Sequence, residues 1–149
     1  RALGNRSIIA NPQSNEMKDI INKKIKRREN FRPFAPAILE EEKYKWFSNA
    51  RANPYMSNVE NVIKDKRDQI PAVTHFDGTG RVQSVSKKNN LFFYKIIKKF
   101  YAKTNVPILL NTSFNENEPI VLKPEQALSC FDRTDMDAII LDNFIIIKD

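Results

Sequence analysis

The apolar run over residues 106–110 constrains the fold of this chain more than any other segment. It reads Val-Pro-Ile-Leu-Leu. A near-continuous apolar run of this length is typical of a strand that is buried on both faces of a sheet. We therefore predict a central strand here, covered by other elements on each side.

Amide and hydroxyl side chains follow this strand directly. Asn111, Thr112, Ser113 and Asn115 supply neutral donors and acceptors. Ligands of open α/β sheets bind outside the carboxyl ends of the strands, so these residues are candidates for a binding site. The alternative is that Asn and Ser only cap and turn the chain at this point.

The rest of the chain alternates between helical and extended patterns. Apolar residues recur at helical spacing over residues 14–25 and 89–103, and shorter helices are predicted over residues 40–47 and 123–131. Asp77-Gly78-Thr79-Gly80 is a strong hairpin signal, which we expect to join strands 72–76 and 81–85. Further extended segments are predicted at Ser7–Ala10, 37–39, 59–63, Ala138–Leu141 and Phe144–Ile147.

This mixture of elements predicts an α+β (α/β) domain with a mixed sheet covered by helices. A length of 149 residues suits one domain, which we assign to residues 1–149. No apolar run approaches the ~20 residues of a membrane span, so we expect a cytoplasmic domain without a membrane partner. Cys130 and His75 are the single cysteine and histidine, which excludes an internal disulfide and a Cys/His metal cage.

The formal net charge of +7 favours an anionic partner. Three scattered glycines are too few for a phosphate-cradling loop, so basic side chains in apolar or turn contexts become the candidates. Arg32, for example, stands between Phe31 and Pro33, and a guanidinium held in such a place can bind phosphate bidentately. For any single arginine, a bond to backbone carbonyls or a carboxylate is an equal alternative. The candidate cations are Arg1, Arg6, Lys26, Arg32 and Arg81.

Five segments resemble, in order and spacing, the C-terminal domain of the carbamoyltransferases that include nodulation proteins and antibiotic-tailoring O-carbamoyltransferases. They read RALGNRSIIANP, INKKIKRRENFRPFAPAIL, PYMS, IPAVTHFDGTGRVQSV and PILLNTSFNENEPIV. The resemblance spans nearly the whole chain. It implies a YrdC-like fold, with a twisted mixed parallel and antiparallel sheet flanked by about three to five helices.

The resemblance also implies an activity. A domain of this family binds ATP and carbamoyl phosphate and forms carbamoyl-adenylate. A covalently linked, actin-like N-terminal domain, which residues 1–149 do not include, then transfers the carbamoyl group to an acceptor hydroxyl. Mg²⁺ is expected to be held through the phosphates rather than by the protein. The alternative is an RNA-binding module of the same fold, although we do not expect nucleic acid as the partner.

The resemblance assigns roles to particular residues. The YrdC-like signature, Lys-x-Arg with a later Ser-x-Asn, is echoed by Lys26-Arg27-Arg28 and Ser113-Phe114-Asn115. A second set is expected close to the bound ligands, and consists of Arg1, Arg6, Asn111 and Asn115. The residues expected to hold the phosphates or carbamoyl phosphate, and so to carry catalysis, are Lys26, Arg32, Arg81 and Ser113.

Overall fold

The computed structural model describes residues 2–29, 31–49 and 51–148. Within these residues the chain forms eight strands and three α-helices. The strands are β1 (Ser7–Ala10), β2 (Ala35–Leu39), β3 (Val59–Asn61), β4 (Thr79–Arg81), β5 (Gln83–Val85), β6 (Ile108–Ser113), β7 (Ala138–Leu141) and β8 (Phe144–Ile147). The α-helices are α1 (Met17–Ile20), which continues as the π-helix Ile21–Ile25, α2 (Leu91–Thr104) and α3 (Pro124–Arg133). Short 3₁₀ turns cover Glu40–Lys45, Lys64–Gln69 and Pro71–Val73.

The main sheet is built around β6, as the apolar run predicts. Its strand order is β1-β6-β2-β5, in which β6 pairs antiparallel with β1 and β2 while β2 pairs parallel with β5. Ile108 and Leu110 are completely buried in the larger hydrophobic core. Leu109 points to the other face and packs with Ala37 and Ile97 in a second core. The mixed sheet and the central, doubly covered strand are both confirmed.

Helix α2 covers this second core and carries clear signals at both ends. The side chain of Asn90 accepts a hydrogen bond from the backbone N–H of Phe93 at 3.0 Å, which caps the first turn. Asn105 ends the helix in the left-handed conformation, with a φ of 57°. Pro107 follows and prevents continuation. The helix predicted over residues 89–103 is therefore confirmed.

The hairpin predicted between residues 72–76 and 81–85 is wrong. Residues 75–79 do turn sharply, because the N–H of His75 bonds to the carbonyl of Thr79 at 2.8 Å. However, Pro71–Val73 is a 3₁₀ turn, β4 pairs with β3, and β5 pairs with β2. Ala72 and Val73 are buried in the core within this 3₁₀ turn, and neither belongs to a strand. The Asp-Gly sequence predicts only a local turn. Which strands pair depends on the packing of residues that are far apart in the chain.

The chain ends in the predicted hairpin of β7 and β8. Ile139 of β7 is buried, whereas all four residues of β8 are exposed. The ammonium of Lys148 fastens the hairpin to the end of α3 by donating to the carbonyls of Phe131, at 2.6 Å, and Thr134. Among the described residues no helix is both long and apolar enough to cross a bilayer.

The burial of β6 leads to a stability prediction. Replacing the completely buried Ile108 by Ala should lower the free energy of unfolding by about 2–5 kcal/mol, because it removes buried methylenes and leaves a cavity. Ile147→Ala makes the same chemical change at a residue that is 67% exposed, and should cost less than about 0.5 kcal/mol. Urea unfolding of both variants tests this, and equal losses would contradict the central position of β6.

Candidate functional site

A cleft of about 340 Å³ lies at the end of β6, and we call it the strand-end cleft. Arg28 and Arg81 supply its cations, and Asn111, Thr112 and Ser113 supply neutral polar groups. No aspartate or glutamate belongs to the described residues that line it. The other lining residues are Ala2, Pro33, Phe34, Ala35, Tyr55 and Met56. The cleft is therefore a positively charged cavity that carries neutral hydrogen-bonding groups.

A larger depression of about 560 Å³ lies between α3 and the segment that precedes it. Pro119, Ile120 and Leu122 give it a mainly apolar lining, and Arg133 is its cation. That guanidinium is already paired with Glu118 at 3.1 Å. For an anion, the smaller strand-end cleft is the better site.

Asn111 forms the floor of the strand-end cleft and is 1% exposed. Its amide nitrogen donates to the carbonyl of Ala2 at 3.0 Å and to Oε1 of Gln83 at 2.8 Å. Gln83 in turn donates to the carbonyl of Leu3 at 3.1 Å, so two amides hold the N-terminal segment against the sheet. Oδ1 of Asn111 has no partner among the described residues. A buried carbonyl oxygen without a donor is a strong acceptor for a ligand N–H group.

Ser113 and Asn115 are held by Lys26, whose side chain is 1% exposed. The Lys26 ammonium donates to the carbonyl of Ser113 at 2.5 Å, to the carbonyl of Asn115 at 2.6 Å and to Oδ1 of Asn115 at 2.7 Å. The Ser113 hydroxyl donates to Asn115 Oδ1 at 2.6 Å. Burial, followed by the repulsion of Arg28, lowers the pKa of Lys26 to about 8.

Arg28 lines the cleft, although it was not among the candidate cations predicted from the sequence. Its Nε donates to Oδ1 of Asn22 at 2.7 Å, and its guanidinium lies 5.1 Å from the ring centroid of Phe34. Burial, and then the nearby Arg32, lowers the pKa of Arg28. Arg27 takes a φ of 44° and so turns the chain after the π-helix. The Lys-x-Arg signature was the signal that pointed to Arg28.

The structure brings Arg81, Asn111 and Ser113 together in the strand-end cleft. Lys26 and Asn115 lie behind Ser113. Arg32 is outside the lining, with its side chain 54% exposed and paired with Glu29 at 3.2 Å.

Arg6 also lies outside the lining. Its guanidinium donates to the carbonyl of Val121 at 3.1 Å, which ties β1 to the segment after β6. The expectation for Arg1 falls outside the described residues.

The fold and the cleft together define a class: an α+β domain with a positively charged cavity at the end of its central strand. The comparisons with known proteins are more specific. The family described as carbamoyltransferase C-terminus matches residues 1–148, and the chain belongs to this family.

The most informative relatives are nodulation proteins. The chain is 45% identical to nodulation protein NolO of Bradyrhizobium diazoefficiens over 99% of its length, which covers 28% of that relative. It is also 45% identical to nodulation protein NolNO of Sinorhizobium fredii, covering 99% of this chain and 22% of the relative. Nodulation protein U of Bradyrhizobium diazoefficiens is 44% identical over 77% of this chain and 20% of its own length. The chain therefore spans about a quarter of the length of these relatives.

The buried Lys26 leads to a prediction about pH. Its folded-state pKa of about 8 lies below the usual value of 10.5, so the charged form is disfavoured in the folded state. The cost of that charge applies below about pH 8 and is relieved as the pH rises towards 10.5. The free energy of unfolding of the wild type, relative to Lys26→Met, should therefore increase over this interval. Urea unfolding at several pH values measures the difference, and a constant difference would contradict the buried charge.

Proposed function

We propose that this domain binds ATP and carbamoyl phosphate and forms carbamoyl-adenylate, which a linked domain then transfers to an acceptor hydroxyl. The observation that carries the proposal is the combination inside the strand-end cleft of two guanidinium groups with a buried neutral acceptor. Carbamoyl phosphate carries complementary groups, with a phosphate at one end and an amide at the other. Membership of the carbamoyltransferase C-terminus family supports the same assignment.

The cations of the cleft are suited to phosphate. Within the described part of the chain neither Arg28 nor Arg81 forms an ion pair, and no carboxylate lines the cleft to compete with an anion. Arginine presents a planar fork of donors that matches phosphate oxygens. We therefore assign the phosphate contacts to Arg28 and Arg81. Arg32, which lies outside the lining, contributes longer-range attraction.

The neutral groups are suited to the carbamoyl end. Oδ1 of Asn111 is a buried acceptor without a donor among the described residues. The Ser113 hydroxyl donates its hydrogen to Asn115 and accepts a long hydrogen bond of 3.4 Å from the ammonium of Lys26, which leaves one lone pair of its oxygen for a ligand. A carbamoyl group carries two N–H donors, and we assign these to Asn111 and Ser113.

The reaction requires two anions to meet. Water first cleaves carbamoyl phosphate to carbamate and inorganic phosphate. A carbamate oxygen then bonds to the α-phosphorus of ATP, and the bond from that phosphorus to the β-phosphate oxygen breaks, which releases pyrophosphate. Positioning and neutralisation of charge lower such a barrier without an acid–base pair. Arg28 and Arg81 neutralise the phosphates, while Asn111 and Ser113 orient the carbamate.

The cleft residues also fit the expected role of magnesium. Among the described residues, no group of three histidine, cysteine, aspartate or glutamate side chains could hold a metal ion. A site lined by guanidinium and amide groups fits Mg²⁺ that is bound through the phosphates of ATP, where it neutralises charge. The transfer step belongs to the proposed linked domain, consistent with relatives that extend well beyond the matched region.

The binding proposal is tested by calorimetry with Mg-ATP and with carbamoyl phosphate. Arg81→Gln should weaken both about 10- to 100-fold, since a hydrogen bond to a charged group contributes about 1.5–3 kcal/mol. Lys98→Gln removes one positive charge from the exposed face of α2 and should leave both affinities within about twofold. A folded wild type that binds neither ligand would overturn the proposal. RNA binding with a steep salt dependence, unaffected by ATP, would favour the alternative function.

A second prediction concerns the amide end of the substrate. Acetyl phosphate carries a methyl group in place of the amino group and leaves the buried Asn111 oxygen without a donor. It should bind about 5- to 100-fold more weakly than carbamoyl phosphate, the usual cost of an unpaired buried polar group. Asn111→Ala should reduce this ratio towards one. The ratio of the two affinities needs no further control, because both ligands carry the same phosphate. Equal affinities of the wild type for the two ligands would contradict the assignment of Asn111.

A further inference from the structure

Lys26 lies immediately behind the wall of the strand-end cleft rather than inside it. An ammonium has three N–H donors, and here they point to the carbonyls of Ser113 and Asn115 and to Oδ1 of Asn115. Its donors are therefore used by the protein before any ligand arrives. Ser113 faces the cleft on its other side, so one residue separates the buried charge from the bound anion.

The charge of Lys26 is not paired with a carboxylate among the described residues. Lys43 provides a comparison inside the same chain. It is equally buried, but its ammonium forms an ion pair with Glu60 at 2.8 Å. The acid that acts on Lys26, Glu118, is engaged by Arg133 at 3.1 Å. A buried cation surrounded only by neutral oxygens is costly, and its field extends into the cleft.

We propose that Lys26 is a positioning residue, which fixes Ser113 and Asn115 and supplies, through the cleft wall, a positive charge that the bound anion neutralises. The identity of that anion rests on the proposed function. The position and the unpaired charge of Lys26 are observed in the structure and do not depend on the proposed function. This role differs from a direct phosphate contact, because the ammonium keeps its protein acceptors when the ligand is bound.

The proposal couples anion binding to the protonation of Lys26. An anion nearby favours the charged amine, and by reciprocity the charged amine favours the anion. The charged or titrating groups that act on Lys26 are Arg28 on its own segment, Glu118 after β6 and Cys130 on α3. Arginine and glutamate keep their charges at mildly alkaline pH. Cys130, whose pKa is raised by burial, is therefore the group to control.

The first test follows the pKa of Lys26 directly by ¹³C NMR of lysine Cε, with the resonance assigned by its loss in Lys26→Met. Saturating Mg-ATP should raise the midpoint by about one unit, equivalent to about tenfold tighter binding to the charged form. A merely structural lysine would titrate at the same pH with and without the ligand. An unchanged midpoint in a wild type that binds Mg-ATP would overturn the role of Lys26 and leave the proposed function intact.

The second test measures Mg-ATP affinity by calorimetry between about pH 7.5 and about pH 9.5. The wild type and Cys130→Ala should both lose about sixfold in affinity over this range, whereas Lys26→Met should bind weakly at every pH. Arg81→Gln should bind more weakly but keep the wild-type slope, since Lys26 still titrates. If Lys26→Met keeps the slope, Lys26 is not the linked group. If Lys26→Met does not fold, the NMR titration of the wild type decides, with the Lys26 resonance assigned by its midpoint near pH 8 instead of the usual 10.5. A wild type without any Mg-ATP binding would instead remove the proposed function.

Discussion

The double-sided burial of β6 is the constraint on which the rest of the structure depends. Its apolar residues join the two hydrophobic cores, with Ile108 and Leu110 on one face and Leu109 on the other. The strand cannot move along its own axis without exposing these side chains. Its last residues, Asn111 and Ser113, are therefore held in place by hydrophobic packing. The polar site takes its geometry from an apolar strand.

The two walls of the strand-end cleft are fixed by different parts of the chain. Arg28 reaches it from the turn after the π-helix, and Arg81 from the end of β4. Asn111, Thr112 and Ser113 belong to β6. Because no carboxylate is present among the described lining residues, the cations are available to a ligand. The presence of both cations and neutral hydrogen-bonding groups suits a molecule that is anionic at one end and amide-like at the other.

Local patterns in the sequence predicted much of the fold. The central strand, the helix over residues 89–103 and the terminal hairpin were each predicted from neighbouring residues, and all three are confirmed. The pairing of β4 with β3, and of β5 with β2, depends on burial of residues far apart in the chain. The Asp77-Gly78 turn carries no such information, and for that reason the predicted central hairpin was wrong.

The site was predictable to a similar extent. The polar residues at the end of β6, together with Arg81, could be found from their positions in the sequence. The Lys-x-Arg signature pointed to Arg28, but Arg32 was chosen as the candidate cation because it stands between Phe31 and Pro33, and the structure places Arg28 rather than Arg32 in the cleft lining. Lys26 was selected as a candidate cation from the sequence, but only the structure shows that it is buried behind Ser113 and bonded to protein acceptors.

The strand order of the main sheet determines when the strand-end cleft can form during folding. Strand β6 lies between β1 and β2, and its residue Ser113 pairs with Ser7, more than one hundred positions earlier. The two earlier strands have no sheet partner on those edges until β6 is available. During synthesis, a nascent chain that has not yet emerged as far as β6 therefore has two open strand edges and no cleft. Contacts so distant in sequence form slowly, so these edges are the part of the folding chain most exposed to mispairing.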